Sequence, residues 1–424
     1  CGGPGGNAFG LGGGGGSGGG IYNSGTMTLK SCAVSENFSG LGAGGGDPGN
    51  AQIGSPGGSG GIGGSGAGIF NVGNLTMNSS TVNDNRAGAG GAGGDFGSGG
   101  NPGMGGDGGG IFNTGILALT NCTISGNACG LGGRGGDGNF YAGAAGGAGG
   151  SGAGIYNANY LLLSLCTIAL NQAGTGGAGG NNTGWFDSDQ PGSGGRGGSG
   201  GGIFNDTNSS TGLAGDCLIA LNQIGSGGLG GTNYSGLVGS SGADGVGRDL
   251  AGIFISQGFN LVGVSDGNTG FTNGINGDLV GSGTDPIDPR LAPLKNNGGF
   301  TSTHALLPGS PAIDQGKSFG LATDQRGQVR VHDYSSIPNA FGGDGCDIGA
   351  FESALPILGL TKSAAGFMIY WDANSPNFIL ESTTNLALPN GWTTVAGTAA
   401  IVNNRFQITN HIDADKKYFR LRAD

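Results

Sequence analysis

The chain has 424 residues, of which 108 are glycine and only 10% are charged, and its formal net charge is -11. So much glycine excludes an ordinary globular core over most of the chain, because few side chains remain to build one. The acidic excess lies before residue 355 and argues against a nucleic-acid partner, since phosphate binding needs clustered lysine and arginine.

The seven cysteines form neither a CxxC pair nor a Cys/His cluster, so no zinc site and no cofactor are expected. Their odd number leaves at least one thiol for a lipid, for an intermolecular bridge, or without a partner. Cys1 fits the lipidated cysteine of a bacterial lipoprotein, and it fits an arbitrary processing boundary as well. No apolar run approaches the roughly 18 residues of a membrane span. Export would mean that a signal peptide has been removed.

An Ile-aromatic-Asn triplet recurs along the chain in steps of 48, 42, 44 and 48 residues, starting at Ile21, Ile69, Ile111, Ile155 and Ile203. A second segment follows the first four triplets at constant distance: MTLKSCAVSEN, LTMNSSTVNDN, LALTNCTISGN and LLLSLCTIALN. The fifth copy, CLIALN, begins three residues late. A period that is constant inside the unit and variable outside it is typical of stacked coils with surface insertions.

Strand alternation places apolar residues in rows that face one interior, such as Met27, Leu75, Leu117 and Leu161. Each coil could bury these residues only against matching coils above and below it. The pattern therefore predicts an all-β parallel β-helix, occupying residues 1–255.

Three further rows of the repeat contain cysteine or asparagine. The first is a core ladder formed by Cys32, Ser80, Cys122, Cys166 and Cys217. Because one serine replaces cysteine in it, a column of small buried side chains is favoured over a disulfide or metal ladder. The other rows hold asparagine at positions where the chain turns, and stacked amides there can hydrogen-bond one another. These asparagines form two ladders, Asn23, Asn71, Asn113, Asn157 and Asn205, and Asn37, Asn85, Asn127, Asn171 and Asn222.

The GGGIFN and TISGN segments over residues 20–222 resemble the GGAI and FxxN motifs of polymorphic outer membrane protein repeats and related secreted bacterial β-helices. That resemblance implies a right-handed parallel β-helix on a cell surface, often in an adhesin. Valine or isoleucine stands here in place of the phenylalanine of FxxN, so the resemblance implies the fold and no particular ligand.

Between each asparagine and the next isoleucine lie about 25 to 31 residues that hold most of the glycine, in two arms around a glycine-poor tip. Floppy loops are one interpretation, since ordering glycine is costly. However, glycine at two of every three positions suits a polyproline-II-like helix with three residues per turn. With only 14 prolines, a collagen-like chain is disfavoured. Because the coils hold the inserts in line, we expect the arms to form an ordered, stacked second layer.

Aromatic residues stand on the otherwise polar tips of these inserts. These aromatic residues are Phe96, Tyr141, Trp185, Phe186 and Tyr234. They are a candidate contact surface for carbohydrate or for another subunit. The alternative is that they fold back to cap the glycine layer.

The segments DPRLAPLKNNGGFTSTHALLPGSPAID, TDQRG and CDIGAFE resemble the choice-of-anchor Q domain of secreted bacterial β-helix proteins, and residues 256–354 are expected to form that cap segment. The resemblance implies an exported, surface-associated protein. The charged side chains in these motifs are Asp314, Asp324, Arg326, Asp347 and Glu352. The carboxylates are expected to bond local backbone and to pair with the arginine rather than to act as acid and base. His304 has no second histidine or cysteine nearby in sequence.

Residues 355–424 contain short alternating segments such as GFMIYWD and NRFQITN, which predict a small fibronectin-like β-sandwich.

Taken together, these patterns favour a non-enzymatic extracellular or cell-surface protein. It would be either a self-assembling fibre subunit that associates head to tail or an adhesin-like rod that binds host or matrix carbohydrate or protein. The alternative is a carbohydrate-active β-helix enzyme, a polysaccharide lyase or hydrolase, although no acidic or basic cluster repeats across successive coils. Ice binding is a third possibility, because glycine-helix bundles resemble certain antifreeze proteins. No catalytic, cofactor-binding or metal-ligating residue is predicted.

Overall fold

A computed structural model describes residues 10–47, 55–184, 190–206, 210–334, 337–353, 358–363, 366–372, 378–388, 391–397, 399–402, 405–410 and 416–423. Every regular element in these residues is a β-strand, and no helix occurs among them. The prediction of an all-β chain built on a parallel β-helix is confirmed.

Twenty strands stack in three parallel sheets of seven, six and seven strands; each of the first six coils contributes one strand to each sheet, and the last contributes only to the first and third. The first sheet contains β1 (Ile21–Asn23), β4 (Ile69–Asn71), β7 (Ile111–Asn113), β10 (Ile155–Asn157), β13 (Ile203–Asn205), β16 (Leu250–Ile253) and β19 (Asn268–Thr269). The second contains β2 (Thr26–Lys30), β5 (Asn74–Asn78), β8 (Ile116–Thr120), β11 (Tyr160–Ser164), β14 (Thr211–Gly215) and β17 (Ile255–Gly258). The third contains β3 (Ala33–Ser35), β6 (Thr81–Asn83), β9 (Thr123–Ser125), β12 (Thr167–Ala169), β15 (Leu218–Ala220), β18 (Leu261–Val262) and β20 (Leu279–Val280).

The strand registers match the apolar rows of the sequence. Met27 pairs with Leu75, Leu75 with Leu117, and Leu117 with Leu161, and from Leu75 onward this row is at most 1% exposed. The rows meet in one continuous apolar cluster along the inside of the stack. Burying these side chains against matching coils is the main source of the stack's stability.

Each coil turns a corner between its second and third strands through one non-glycine residue in the left-handed backbone region. The φ angles are 48° to 52° at Ser31, Ser79, Asn121, Leu165 and Asp216. This conformation costs about 1–2 kcal/mol for an ordinary residue, so the packing of the coils must offset it at each corner.

The stacked sheets extend to β20, so the boundary expected at residue 255 lies inside the stack. After β20 the chain turns back and lies along the outside of the third sheet. We call residues 285–353 the strap. Its contacts reach from Ser79 in the second coil to Phe259 in the sixth.

The glycine-rich inserts are ordered as a second layer beside the sheets. Five outgoing arms leave the coils at 38–47, 86–95, 128–138, 172–184 and 223–232. Returning arms lead back into the coils at 10–20, 55–68, 98–110, 142–154, 190–202 and 239–249. We call these arms together the glycine layer.

Backbone hydrogen bonds inside the glycine layer repeat every three residues. In the outgoing arm 128–138, Gly132 N–H donates to the Thr175 carbonyl of the next outgoing arm at 2.9 Å. Gly133 N–H donates to the Gly103 carbonyl of the preceding returning arm at 2.9 Å, while Arg134 faces outward. The pattern resumes at Gly135 and Gly136. This spacing is that of a three-residue-per-turn helix, as the sequence predicts.

Two small antiparallel sheets form the C-terminal part of the chain. One contains β21 (Gly359–Ser363), β22 (Gly366–Asp372), β25 (Ala400–Val402) and β26 (Arg405–Asn410), and the other contains β23 (Phe378–Thr383), β24 (Thr393–Thr394) and β27 (Tyr418–Ala423). They share an apolar core in which Trp371 of one sheet is clustered with Leu380 of the other. This is the sandwich that the sequence predicts.

Candidate contact surface at the tips of the glycine layer

The glycine layer brings the second and third tips, around Phe96 and Tyr141, next to one another. Phe96 N–H donates to the Asp137 carbonyl at 3.1 Å, and Tyr141 N–H donates to the Gly97 carbonyl at 2.8 Å. The rings of Phe96 and Phe140 meet edge to face with centroids 6.3 Å apart. These two tips, the second and third of the layer, are therefore joined by backbone bonds and by a ring contact.

The aromatic residues predicted for this surface differ in exposure. Tyr141 is 52% exposed and Tyr234 is 73% exposed, whereas Phe96 is half-buried beside Phe140. Tyr234 lies in a tight turn whose Asn233 side chain accepts the Leu237 N–H at 2.7 Å. Trp185 and Phe186 lie outside the described residues.

A column of acidic and amide side chains lines the outgoing arms just before their tips. The carboxylate of Asp47 accepts the Asp95 N–H at 2.7 Å, that of Asp95 accepts the Asp137 N–H at 2.7 Å, and that of Asp137 accepts the Asn181 N–H at 2.6 Å. Arg134 pairs with Asp137 and lies 4.0 Å from Asp95. The aspartates recur in sequence at the coil spacing, a signal that the sequence analysis missed.

Phenol hydroxyls, carboxylates and a guanidinium thus lie on one side of the molecule. Such groups recognise hydroxyl-rich sugars or polar protein surfaces by hydrogen bonds and by contact with aromatic rings. Because the backbone lattice beneath these side chains is already ordered, binding would cost less conformational entropy, which favours affinity.

The cysteine row lies inside the β-helix. Ser80, Cys122, Cys166 and Cys217 are fully buried and Cys32 is half-buried at the first coil. The buried thiols donate to the carbonyl two residues earlier, for example Cys122 to Thr120 at 3.2 Å. All cysteines in the described residues are free, and burial raises the pKa of Cys122 and Cys217. These thiols face the core and do not form part of the tip surface.

The turn asparagines form a continuous hydrogen-bonded ladder. The Oδ1 atom of Asn85 accepts both the backbone N–H and the Nδ2 of Asn37, and the same pair of bonds repeats through Asn127, Asn171 and Asn222 at 2.9 to 3.1 Å. The sequence analysis missed that Asp249 ends this ladder. Its Oδ1 accepts both Asn222 donors and its Oδ2 accepts the Val264 N–H. A carboxylate suits the last position because it has no donor to satisfy. Burial raises the pKa of Asp249 to about 6.

The second asparagine ladder lies beside a stack of aromatic rings on the first sheet. Asn23 Nδ2 donates to Asn71 Oδ1 at 2.7 Å, and the ladder continues to Asn205. The neighbouring rings stack at centroid distances of 4.8 to 5.4 Å: Tyr22, Phe70, Phe112, Tyr156 and Phe204. Because the inner rings have both faces occupied by neighbours, they present edges rather than faces to a ligand.

Three charged residues that the sequence singles out in the strap, Asp314, Asp324 and Arg326, are bonded within it. Asp324 accepts backbone N–H groups and pairs with Arg326 at 2.7 Å, and Arg326 stacks on the Phe351 ring. Asp314 accepts the Tyr334 N–H at 2.9 Å. This is the local bonding that the sequence analysis expects of these carboxylates.

A second group ties the strap to the β-helix. Arg330 lies 3.5 Å from Asp216 and 3.7 Å from Glu352, and all three side chains are fully buried. Asp347 accepts the N–H groups of Asp314 and Ser353. Burial, and then the charge of Glu352, raise the pKa of Asp347 to about 8.

His304 fixes the strap to the third sheet. One ring nitrogen, Nδ1, lies 2.7 Å from the Ala292 carbonyl, and the other, Nε2, lies 2.8 Å from Ser125 Oγ. Burial lowers the pKa of His304, so a neutral ring donates from Nδ1 to the carbonyl and accepts the serine hydroxyl at Nε2. Both side chains are buried, which gives a structural bond rather than an accessible nucleophile.

No family model, curated protein or solved structure matches the chain. Within the described ranges, no group of three or more metal-ligating side chains comes together. The same residues contain no helix long and apolar enough to cross a membrane.

Proposed function

We propose that this chain is a non-enzymatic extracellular structural or surface protein, in which the β-helix and the glycine layer form a stiff scaffold that presents the tips to a partner. The observation that carries the proposal is the continuous three-residue hydrogen-bond lattice of the arms. A lattice of this kind offsets the entropy cost of ordering glycine, and an enzyme whose chemistry lay on the coils would have no need of it.

The resemblance to secreted β-helix repeats and to choice-of-anchor Q segments supports a location at the cell surface. The partner class that best fits exposed tyrosines beside carboxylates is a carbohydrate or a polar protein of the host or matrix. The buried, arginine-paired carboxylates of the strap weigh against the alternative of a polysaccharide lyase or hydrolase, since those groups are committed to structural bonds.

The test compares binding of the full chain to immobilised glycans and matrix proteins with that of Tyr141→Ser combined with Tyr234→Ser. A matched control, Tyr22→Ser, changes an exposed tyrosine on the first sheet, away from the tips. We expect the tip variant to lose at least about tenfold in affinity, as for removal of two aromatic contacts, while the control binds normally.

Equal binding by all three proteins would contradict the tip surface. Release of reducing sugars or unsaturated products from polysaccharides by the purified chain would instead favour the enzyme. Thermal unfolding of each variant shows whether the fold is preserved.

A further inference from the structure

Five outgoing arms belong to the glycine layer, and the last of them, 223–232, is followed in the layer only by returning arm 239–249 within the described residues. Residues 263–267 join β18 directly to β19, so the sixth coil has no insert and supplies no sixth outgoing arm. We call the side of these two arms where a sixth outgoing arm would lie the last-coil edge.

Returning arm 239–249 repeats the bonding pattern of returning arm 190–202 before it. Gly195 N–H in the earlier arm and Gly242 N–H in the later arm both donate to the outgoing arm that precedes them, at 2.8 Å. The residue before each of these glycines therefore has the same place in the lattice, and so do the residues three positions away on either side. We call these places of the returning arms the forward row.

Side chains in the forward row point to the space that the next outgoing arm fills. A Cβ atom at Gly194 would lie 1.8 Å from the Gly228 carbonyl oxygen of the following outgoing arm, and one at Gly197 would lie 2.0 Å from that of Gly225. Within the described residues, each returning arm before 239–249 has at most one residue other than glycine in this row, and that residue is a proline.

The last returning arm is different, because side chains stand at three successive places of its forward row, Val238, Ser241 and Asp244. All three residues are exposed. The Asp244 carboxylate accepts the Gly227 N–H at 2.8 Å. One arm earlier the equivalent donor, Gly176 N–H, bonds a carbonyl of the next outgoing arm. The carboxylate therefore stands where a carbonyl of a sixth outgoing arm would lie.

We infer that Val238, Ser241 and Asp244 close the last-coil edge to a further glycine-rich strand, so that the glycine layer ends at this arm. The backbone beneath them has the polar groups of an open edge, since Gly230 N–H and the Gly242 carbonyl bond to nothing in the part of the chain that the structure describes. Such an edge pairs with other chains unless side chains obstruct it.

This inference deepens the proposed structural role and rests on it. A closed edge prevents neighbouring copies from joining through this side of their glycine layers. It favours a single rod that presents its tips over a fibre that grows by adding arms at the last coil.

The strand that the closed edge excludes is defined by the layer itself. A Cβ atom at Gly228 would lie 1.9 Å from the Gly177 carbonyl oxygen of the preceding outgoing arm. An incoming strand would face arm 223–232 in the same way, so it needs glycine at every third position. It also needs three residues per turn, a conformation that proline favours at the other positions.

The test is binding of a fluorescent peptide of Pro-Gly-Gly repeats to the full chain, followed by fluorescence anisotropy. Ser241→Gly combined with Asp244→Gly removes two of the obstructing side chains and frees the Gly227 N–H. The matched control, Ser240→Gly combined with Ala243→Gly, adds the same number of glycines to the same arm, at exposed places outside the forward row. Thermal unfolding shows whether each variant keeps its fold.

We expect the opened variant to bind the peptide at least about tenfold more tightly than wild type, because it loses a steric overlap and gains a hydrogen-bond donor. The control variant should bind as wild type does, and a peptide of Pro-Ala-Ala repeats should bind to none of them. The inference is overturned if wild type or the control binds as tightly as the opened variant, or if the opened variant does not bind.

The tip function is measured separately in the same proteins. The opened variant should bind glycans and matrix proteins as wild type does, because its substitutions lie outside the tips. Tyr141→Ser combined with Tyr234→Ser, added to the opened variant, should leave peptide binding unchanged. Failure of peptide binding would therefore overturn the closed edge alone, and failure of tip binding would overturn the proposed tip surface alone.

Discussion

At the scale of single residues, the glycine at two positions in three is explained by how closely the arms approach. A Cβ atom at Gly177 would lie 1.9 Å from the Gly133 carbonyl oxygen, and one at Gly133 would lie 2.1 Å from the Gly91 carbonyl oxygen. Ala43 occupies the same row in the first outgoing arm, where no outgoing arm precedes it among the described residues. Period three indicated glycine contacts in sequence, but which arm each row meets required the structure: the Gly133 row faces the preceding coil, whereas a Cβ at Gly132 would lie 2.0 Å from the Gly147 carbonyl oxygen of the following returning arm.

We predict that Gly177→Ala lowers the free energy of unfolding by about 1–3 kcal/mol, because the methyl group must force two backbones apart. Gly44→Ala is the matched control, since a Cβ there would meet only the Ala92 carbonyl oxygen at 3.8 Å. It should change stability by no more than about 0.5 kcal/mol. Urea unfolding followed by circular dichroism measures both. An equal effect of the two substitutions would mean that the interior contacts are not tight.

At the scale of the elements, strand alternation was enough to predict the coils, the apolar rows and the two asparagine ladders, because each of these depends on spacing that repeats in the chain. The strap could not be placed in this way. Its bonds, such as Thr123 Oγ1 to Gln325 Oε1 at 2.6 Å and Ser125 to His304, join residues separated by 202 and 179 positions. The strap covers outward threonines of the third sheet such as Thr123 and Thr167, and the repeat spacing contains no signal for that contact.

The asparagine ladder gives a prediction at this scale. Asn127→Ala removes the acceptor for the Asn85 N–H and Nδ2 and the donor to Asn171, and it leaves these polar groups buried. We expect a loss of about 2–4 kcal/mol in unfolding free energy, since unpaired buried groups cost about 1–3 kcal/mol each and partly relax. Asn37→Ala at the first coil removes donors only and should cost about 1 kcal/mol.

Denaturant midpoints of the two asparagine variants, with slopes that match wild type, give this comparison. Similar losses for Asn127→Ala and Asn37→Ala would show that the ladder does not depend on its inner acceptors.

At the scale of the whole molecule, two lattices with different repeats are held in one register. The β-helix fixes the distance between coils, and this distance is also the spacing at which one glycine arm can bond the next. Insert length can then vary, as the steps of 42 to 48 residues between coils show, because tips absorb the difference while arm residues stay in line. The sequence predicted this second layer, yet the polarity of its edges depends on which N–H points forward, and spacing alone does not determine that.

This coupling predicts a pattern of amide hydrogen exchange with a period of three along the arms. Gly132 and Gly133 N–H are bonded inside the layer, whereas the Arg134 N–H has no acceptor in the part of the chain that the structure describes. If opening an arm costs about 3 kcal/mol, exchange at the two glycines is slowed about a hundredfold relative to Arg134. Residue-level exchange measured by NMR checks this, with the β9 amides as an internal reference. Fast exchange at all three arm residues while β9 stays protected would show that the arms move independently of the coils, and both proposals would lose their physical basis.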